Sequence, residues 1–272
     1  MTALLNLITR LFDGIFYPFS RLNPWYALIT ISVLTGILMV TIFSKVSNQK
    51  KMGRAKNLIK AHFLEIQLYK DDFRQLLSSQ KKIIRYNLTY LKLALFPATI
   101  MFIPVLFILI QLNLRLGNRP LLPGETVNIR AVLRNQDPLK VDLSLPSGVR
   151  LNLPPLRIPA LQEVNWQLAV EKAGNFELGI TVERKKIIQK LAVSDRLGRC
   201  YLETPSSGLA EIFLNPGLGA YFTDNSPLKL IETDYPKRDF SLGITILPEW
   251  LVIFFITSVI AGLTLKKIFK IN

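Results

Sequence analysis

The side chains best suited to covalent chemistry are scarce in this sequence. Cys200 is the one cysteine and His62 the one histidine among 272 residues. A thiolate nucleophile needs a base and an orienting group, and a structural zinc needs about four ligands. Two isolated residues supply neither. A single cysteine also forbids an intrachain disulfide, and the simplest role for Cys200 is that of a small buried hydrophobe. No glycine-rich phosphate loop or nucleophile motif stands in the chain. The expectation is a protein that is not an enzyme, with no catalytic residue, no metal site and no cofactor.

The chemistry that remains is non-covalent, and two sets of residues carry it. The first is a set of polar groups within apolar runs: Ser32 and Thr35 in one, Thr99 and Gln111 in a second, Thr257 and Ser258 in a third. They are candidates for lining a mildly polar groove inside a membrane. The same residues also suit ordinary interhelical packing, with Ser32 and Gly36 as a small-xxx-small pair. The second set is basic: Lys50, Lys51, Arg54, Lys56, Lys60, Lys81, Lys82 and Arg85, candidates for contact with an anionic partner such as phosphate or lipid headgroups.

The elements that must position these groups follow from composition. Half of the residues are hydrophobic and mean hydropathy is +0.30, too apolar for an ordinary soluble domain, while 19% are charged. A membrane protein with one sizeable aqueous part satisfies both figures. Residues 4–22 place apolar side chains at helical spacing, with Asn6, Thr9, Arg10 and Asp13 opposite, up to Pro18. This predicts an amphipathic helix in residues 1–22 lying in the membrane interface. A signal peptide is the alternative, but a basic n-region and a small-residue cleavage site are missing. Spans are predicted at 24–43, 91–114 and 247–265, each near the roughly 20 residues that cross hydrocarbon. Pro97 and Pro104 lie in the second.

Between the first two spans, Lys45 to Lys92 holds twelve Lys/Arg against Glu65, Asp71 and Asp72, or 12 − 3 = +9 of the chain's +15. Two spans separate this loop from the basic tail at 266–272, so both fall on one side, and the positive-inside rule makes that side cytoplasmic. Within 45–90, Met52, Ala55, Ile59, Phe63 and Ile66 mark one helical stripe; Phe73, Leu77, Ile84, Leu88 and Leu91 mark another. Tyr69 to Asp72 breaks them, with Asp71 or Asp72 placed to cap the second helix. An antiparallel helical hairpin is the expectation, a single long helix the alternative.

After the second span the period changes to two. Alternating runs around Val127–Leu133, Val141–Leu145, Val149–Leu153, Val164–Val170, Phe176–Val182 and Ile187/Ile188–Val193 are separated by Pro and Gly breakers. Residues 119–194 are therefore expected to form an external antiparallel β-sandwich, immunoglobulin-like in architecture. Residues 195–246 are expected to be a connector, with a short helix near Leu209–Leu214. The fold class is thus membrane α + β: three transmembrane helices, a cytoplasmic helical hairpin and an external β domain.

The order of these parts resembles the YidC/Alb membrane-insertase superfamily. The stretch LLNLITRLFDGIFYPFSRLNPWYALITISVLTGILM looks like that family's interfacial helix and first core span. LYKDDFRQLLSSQKKIIRYNLTYL is similar to its hairpin turn and return helix, notably at Tyr69, Asp71, Asp72, Gln75 and Leu76, and Pro97 with Pro104 resembles the prolines of the following span. The likeness covers residues 1–114 and, through span order, 247–272. The bacterial family carries an intramembrane arginine in a groove open to the cytoplasm. Judged from Gly36, Thr35 stands at that position, and the β region has no counterpart there.

The resemblance implies a protein that assists insertion or folding of membrane proteins, with the lipid bilayer, nascent membrane proteins and the ribosome as partners. The expected location is the prokaryotic plasma membrane, N-terminus outside and C-terminus cytoplasmic. The alternative is a membrane-anchored scaffold or sensor whose β-sandwich binds an external protein partner.

Overall fold

A computed structural model describes residues 2–183, 185–204, 213–216, 226–243 and 247–268. It divides into two compact units, Met1–Leu28 with Leu109–Trp250, and Ile29–Ile108 with Leu251–Asn272. Among the described residues three helices are long and apolar enough to cross a membrane, at Pro24–Val46, Phe73–Gly117 and Glu249–Lys266, which marks the chain as an integral membrane protein.

The helices are α1 (Thr2–Phe16), α2 (Pro24–Val46), α3 (Gln49–Leu68), α4 (Phe73–Leu112) and α5 (Glu249–Ile268). Side-chain caps set the boundaries of the middle two. Asn48 accepts from the Lys51 backbone N–H at the start of α3, and Asp72 accepts from Gln75 N–H at the start of α4. α4 then continues for 40 residues through Pro97 and Pro104, so the return helix and the second span are one helix. Each proline removes one i→i−4 bond without ending it.

On α3 the expected stripe is buried in part, at Met52 and Ala55, whereas the expected α4 stripe is not. Met52, Ala55 and His62 are buried on α3, and Ser79 is buried on α4. The His62 ring stacks on Tyr86 with centroids 5.5 Å apart. Phe73, Leu77, Ile84, Leu88 and Leu91, expected to face inward, are exposed, as is Phe63. His62 and Glu65 on α3 join Ser79 on α4 in a hydrogen-bonded network, and Ser79 is buried while the apolar α4 stripe is exposed.

In the other unit, α1 ends in a 3-10 turn at Tyr17–Phe19 that contains Pro18. The strands are β1 (Thr126–Leu133), β2 (Val141–Ser144), β3 (Val149–Ile158), β4 (Glu163–Val170), β5 (Gly174–Val182), β6 (Lys185–Val193), β7 (Glu203–Thr204) and β8 (Leu228–Thr233). They form a five-stranded sheet, β3-β4-β1-β8-β7, and a three-stranded sheet, β2-β5-β6, with every strand pair antiparallel. The period-2 pattern is the cause: Val127, Ile129, Ala131 and Leu133 alternate inward on β1, as do Val164, Trp166 and Leu168 on β4. Residues from both sheets share one buried cluster, in which each Val or Leu side chain contributes about 1.5–3 kcal/mol.

Two features depart from the sequence-based expectation. β3 runs through Pro154-Pro155, which read as a breaker. It is an edge strand with register shifts around those residues, and a proline is tolerated where no N–H is needed. β8 lies inside the expected connector yet pairs with the central strand β1, so the sheet extends well past residue 194. On β6 Ile187 packs on the core and Ile188 is exposed, which decides between the two alternatives the pattern left open. The chain passes between sheets after β2 through a turn in which Val149 N–H donates to Pro146 O. Gly148 takes φ +100° there, and a Cβ at that site would meet the Phe176 ring at 3.3 Å. The short helix expected near Leu209–Leu214 falls largely outside the described residues, as do tail residues 269–272.

Candidate functional site

The three spans enclose a groove of about 450 Å³, lined on α2 by Thr35, Gly36, Met39, Val40 and Phe43. Ala98, Met101, Phe102 and Val105 line it from α4, and residues between Phe254 and Lys266 line it from α5. Small residues bring two of the helices together beside it. A Cβ added to Gly36 would lie 2.5 Å from Ser258 O and 3.0 Å from the Ala261 Cβ, and one on Gly262 would lie 3.4 Å from Val40. The α2–α5 contact therefore depends on glycine.

The hydroxyls lining the groove have spent their protons on their own helices. Thr35 Oγ1 donates to Ile31 O at 2.7 Å, and Ser258 Oγ donates to Phe255 O at 3.1 Å. Their oxygens still accept, but the groove offers no hydroxyl donor from these two residues and is otherwise almost wholly apolar. Among the described residues its one charged lining residue is Lys266. No intramembrane arginine points into it.

Of the six polar residues proposed for the groove, Thr35 and Ser258 are in its wall. Ser32 is fully buried one turn away on α2, and Thr257 is half-buried next to Ser258. Thr99 is exposed on α4, with its hydroxyl donating to Leu95 O at 3.0 Å. Gln111 is buried elsewhere, in the other unit. Lys50, Lys51, Arg54, Lys56, Lys60, Lys81, Lys82 and Arg85 are all exposed on α3 and α4, so each is open to an anionic partner.

Gln111 belongs to a cluster that the sequence reading missed. α4 passes into a π-helical turn, Asn113–Gly117, which holds Arg115 with its side chain 3% exposed. The Arg115 guanidinium donates to Gln111 Oε1 (2.7 Å), Gln111 O, Thr9 O and Asp13 Oδ1 (2.6 Å). Gln111 Nε2 donates to Thr9 Oγ1, and Thr9 donates to Leu5 O. Phe16 lies under the guanidinium at 5.2 Å. Thr9 and Asp13, expected on the outer face of α1, thus face Arg115, while Leu7, Leu11 and Ile15 are exposed. The i, i+4 spacing of Gln111 and Arg115 at the end of an apolar run was the available signal. The arrangement binds α1 to the end of the second span and engages both terminal nitrogens of Arg115.

On the basic helices, His62 Nδ1 lies 2.8 Å from Glu65 Oε2, and Ser79 Oγ donates to the same oxygen at 2.8 Å. Hydrogen bonds from His62 and Ser79 hold the Glu65 carboxyl below its ordinary value. Cys200 is buried, and burial pushes its thiol up to about 12, consistent with a packing role. Among the described residues no group of three or more His, Cys, Asp or Glu is placed to hold a metal. No family model, curated protein or solved structure matches the chain.

Proposed function

We propose that this chain assists the insertion or folding of membrane proteins, as an insertase-like member of the YidC/Alb layout, without covalent chemistry. The observation that carries the reading is the groove between all three spans, bounded by Phe43 and Lys266 at the end of α2 and α5 from which the basic loop leaves. A client segment entering from that end meets protein rather than closed lipid, which lowers the cost of moving unsatisfied backbone groups into hydrocarbon. The loop is read as a cytoplasmic hairpin whose exposed lysines and arginines meet ribosomal or lipid phosphate. The paired sheets are read as an external immunoglobulin-like sandwich, and Leu7, Leu11 and Ile15 as the bilayer-facing side of α1. The membrane is read as the plasma membrane of a prokaryote. The back-bonded hydroxyls set a limit on the clients: short polar segments gain acceptors in the groove, but no cation that would attract acidic segments to mid-membrane. Depleting the protein while following insertion of single-span clients with short external tails tests the reading. Unchanged insertion contradicts it.

A second reading, a membrane-anchored scaffold or sensor, is favoured by one feature. The edge strand β3 exposes Leu151, Leu153 and Leu156, an apolar row beside unpaired backbone of the kind that accepts a partner strand. Deleting residues 120–240 discriminates. The scaffold reading requires those residues, whereas insertion by the groove survives their loss.

A further inference from the structure

The groove has a depth, a lining and a charge that fit one class of small molecule. It extends over Ala98–Val105 on α4 and Phe254–Lys266 on α5, which at 1.5 Å per residue are about 11 and about 18 Å. One leaflet of a bilayer contributes about 15 Å of hydrocarbon, half of the roughly 30 Å core. The depth therefore matches an acyl chain of a single leaflet, whereas a complete spanning helix needs about twice that length. The lining agrees: Met39, Val40, Phe43, Met101 and Val105 present carbon, and the Thr35 and Ser258 hydroxyls donate to their own backbones.

Charge settles which lipid. Lys266 stands at one end of the apolar lining, and among the described residues no carboxylate lies within ion-pair distance of it. A lysine at the end of a span lays its stem along hydrocarbon and carries its ammonium to headgroup level, where an anionic phosphate is the favoured neighbour. We propose that the groove is a binding site for an anionic phospholipid, with an acyl chain between α2, α4 and α5 and the phosphate on the Lys266 ammonium. The site rests on the three helices crossing a bilayer, and not on any role in client insertion.

The test uses the full chain in phosphatidylcholine vesicles containing a trace of phosphatidylglycerol or phosphatidylcholine that bears a mid-chain diazirine. After irradiation, labelled residues are mapped by mass spectrometry. Label from phosphatidylglycerol is expected on Met39, Met101 and Phe255 in excess of the outward-facing Leu34 and Ile103, and above the phosphatidylcholine label by about fivefold. Lys266→Gln is expected to remove the headgroup preference and Lys266→Arg to keep it. Equal labelling of groove and outer positions overturns the proposal. So does a preference that survives Lys266→Gln, or a co-purifying peptide in place of lipid. Since no client is present, the result stands apart from the insertion assay.

Discussion

Asp13 accepts a 2.6 Å hydrogen bond from Arg115, and the two side chains are unequally placed, Arg115 at 3% exposure and Asp13 at 39%. Removing the carboxylate strands a buried cation, whereas removing the cation leaves a carboxylate that water and the nearby Arg199 can still serve. Asp13→Asn is therefore expected to cost about 3 kcal/mol and Arg115→Met markedly less. Thermal unfolding of the purified full chain in detergent reads the order. Equal losses would show that the pair does not hold α1.

Gly36 sits where α2 meets α5. With Ser258 O at 2.5 Å from a Cβ, Gly36→Ala requires the helices to part, at a cost of about 1–3 kcal/mol. Gly14, with nothing within 4 Å, is the control, where alanine in a helix is expected to be neutral or stabilising. Melting temperatures of the two variants, measured side by side, check the contrast.

The Glu65 network makes the contact between α3 and α4 sensitive to acid. A carboxyl lowered in the folded state contributes stability that is present above its unfolded value, about 4.5, and is lost as pH falls through the folded value. Spin labels at Asn57 and Asn87 are expected to report a broader distance distribution once pH drops below about 4.5, and Glu65→Gln to show that breadth at neutral pH. A distribution independent of both pH and substitution would remove the network from the account.

Cys200 offers a simple measure of the β-unit core. A thiol raised from 9 to about 12 holds roughly a thousandfold less thiolate at neutral pH than an ordinary one. Maleimide labelling is expected to be negligible in the folded chain and complete in denaturant. Rapid labelling of the native protein would mean that this part of the core is open.

Much of the architecture was legible because it depends on local pattern. The spans are long apolar runs, Asp72 is a cap beside a break, and β1 and β4 alternate over eight residues each. What escaped depends on distant partners. Thr9 and Asp13 looked like a solvated face because Arg115 lies 102 residues or more away. The α4 stripe is exposed while Ser79 is buried against Glu65, a contact between helices that apolar spacing does not encode. β8 is six residues long and borders a register shift at Val132/Leu133, too little for periodicity to register. Of the candidate groove residues, Thr35 and Ser258 line the cavity between the spans. Gln111 instead bonds Arg115 and Thr9, partners that spacing alone did not indicate.

The insertase reading turns on what occupies the groove while proteins are being made. A photoreactive amino acid at Thr35, with one at Gln111 as a control outside the groove, can be activated during synthesis of a single-span membrane protein. The account predicts adducts between Thr35 and the nascent chain, and none from Gln111. Lipid adducts alone at Thr35, or equal nascent-chain adducts at both positions, would contradict it.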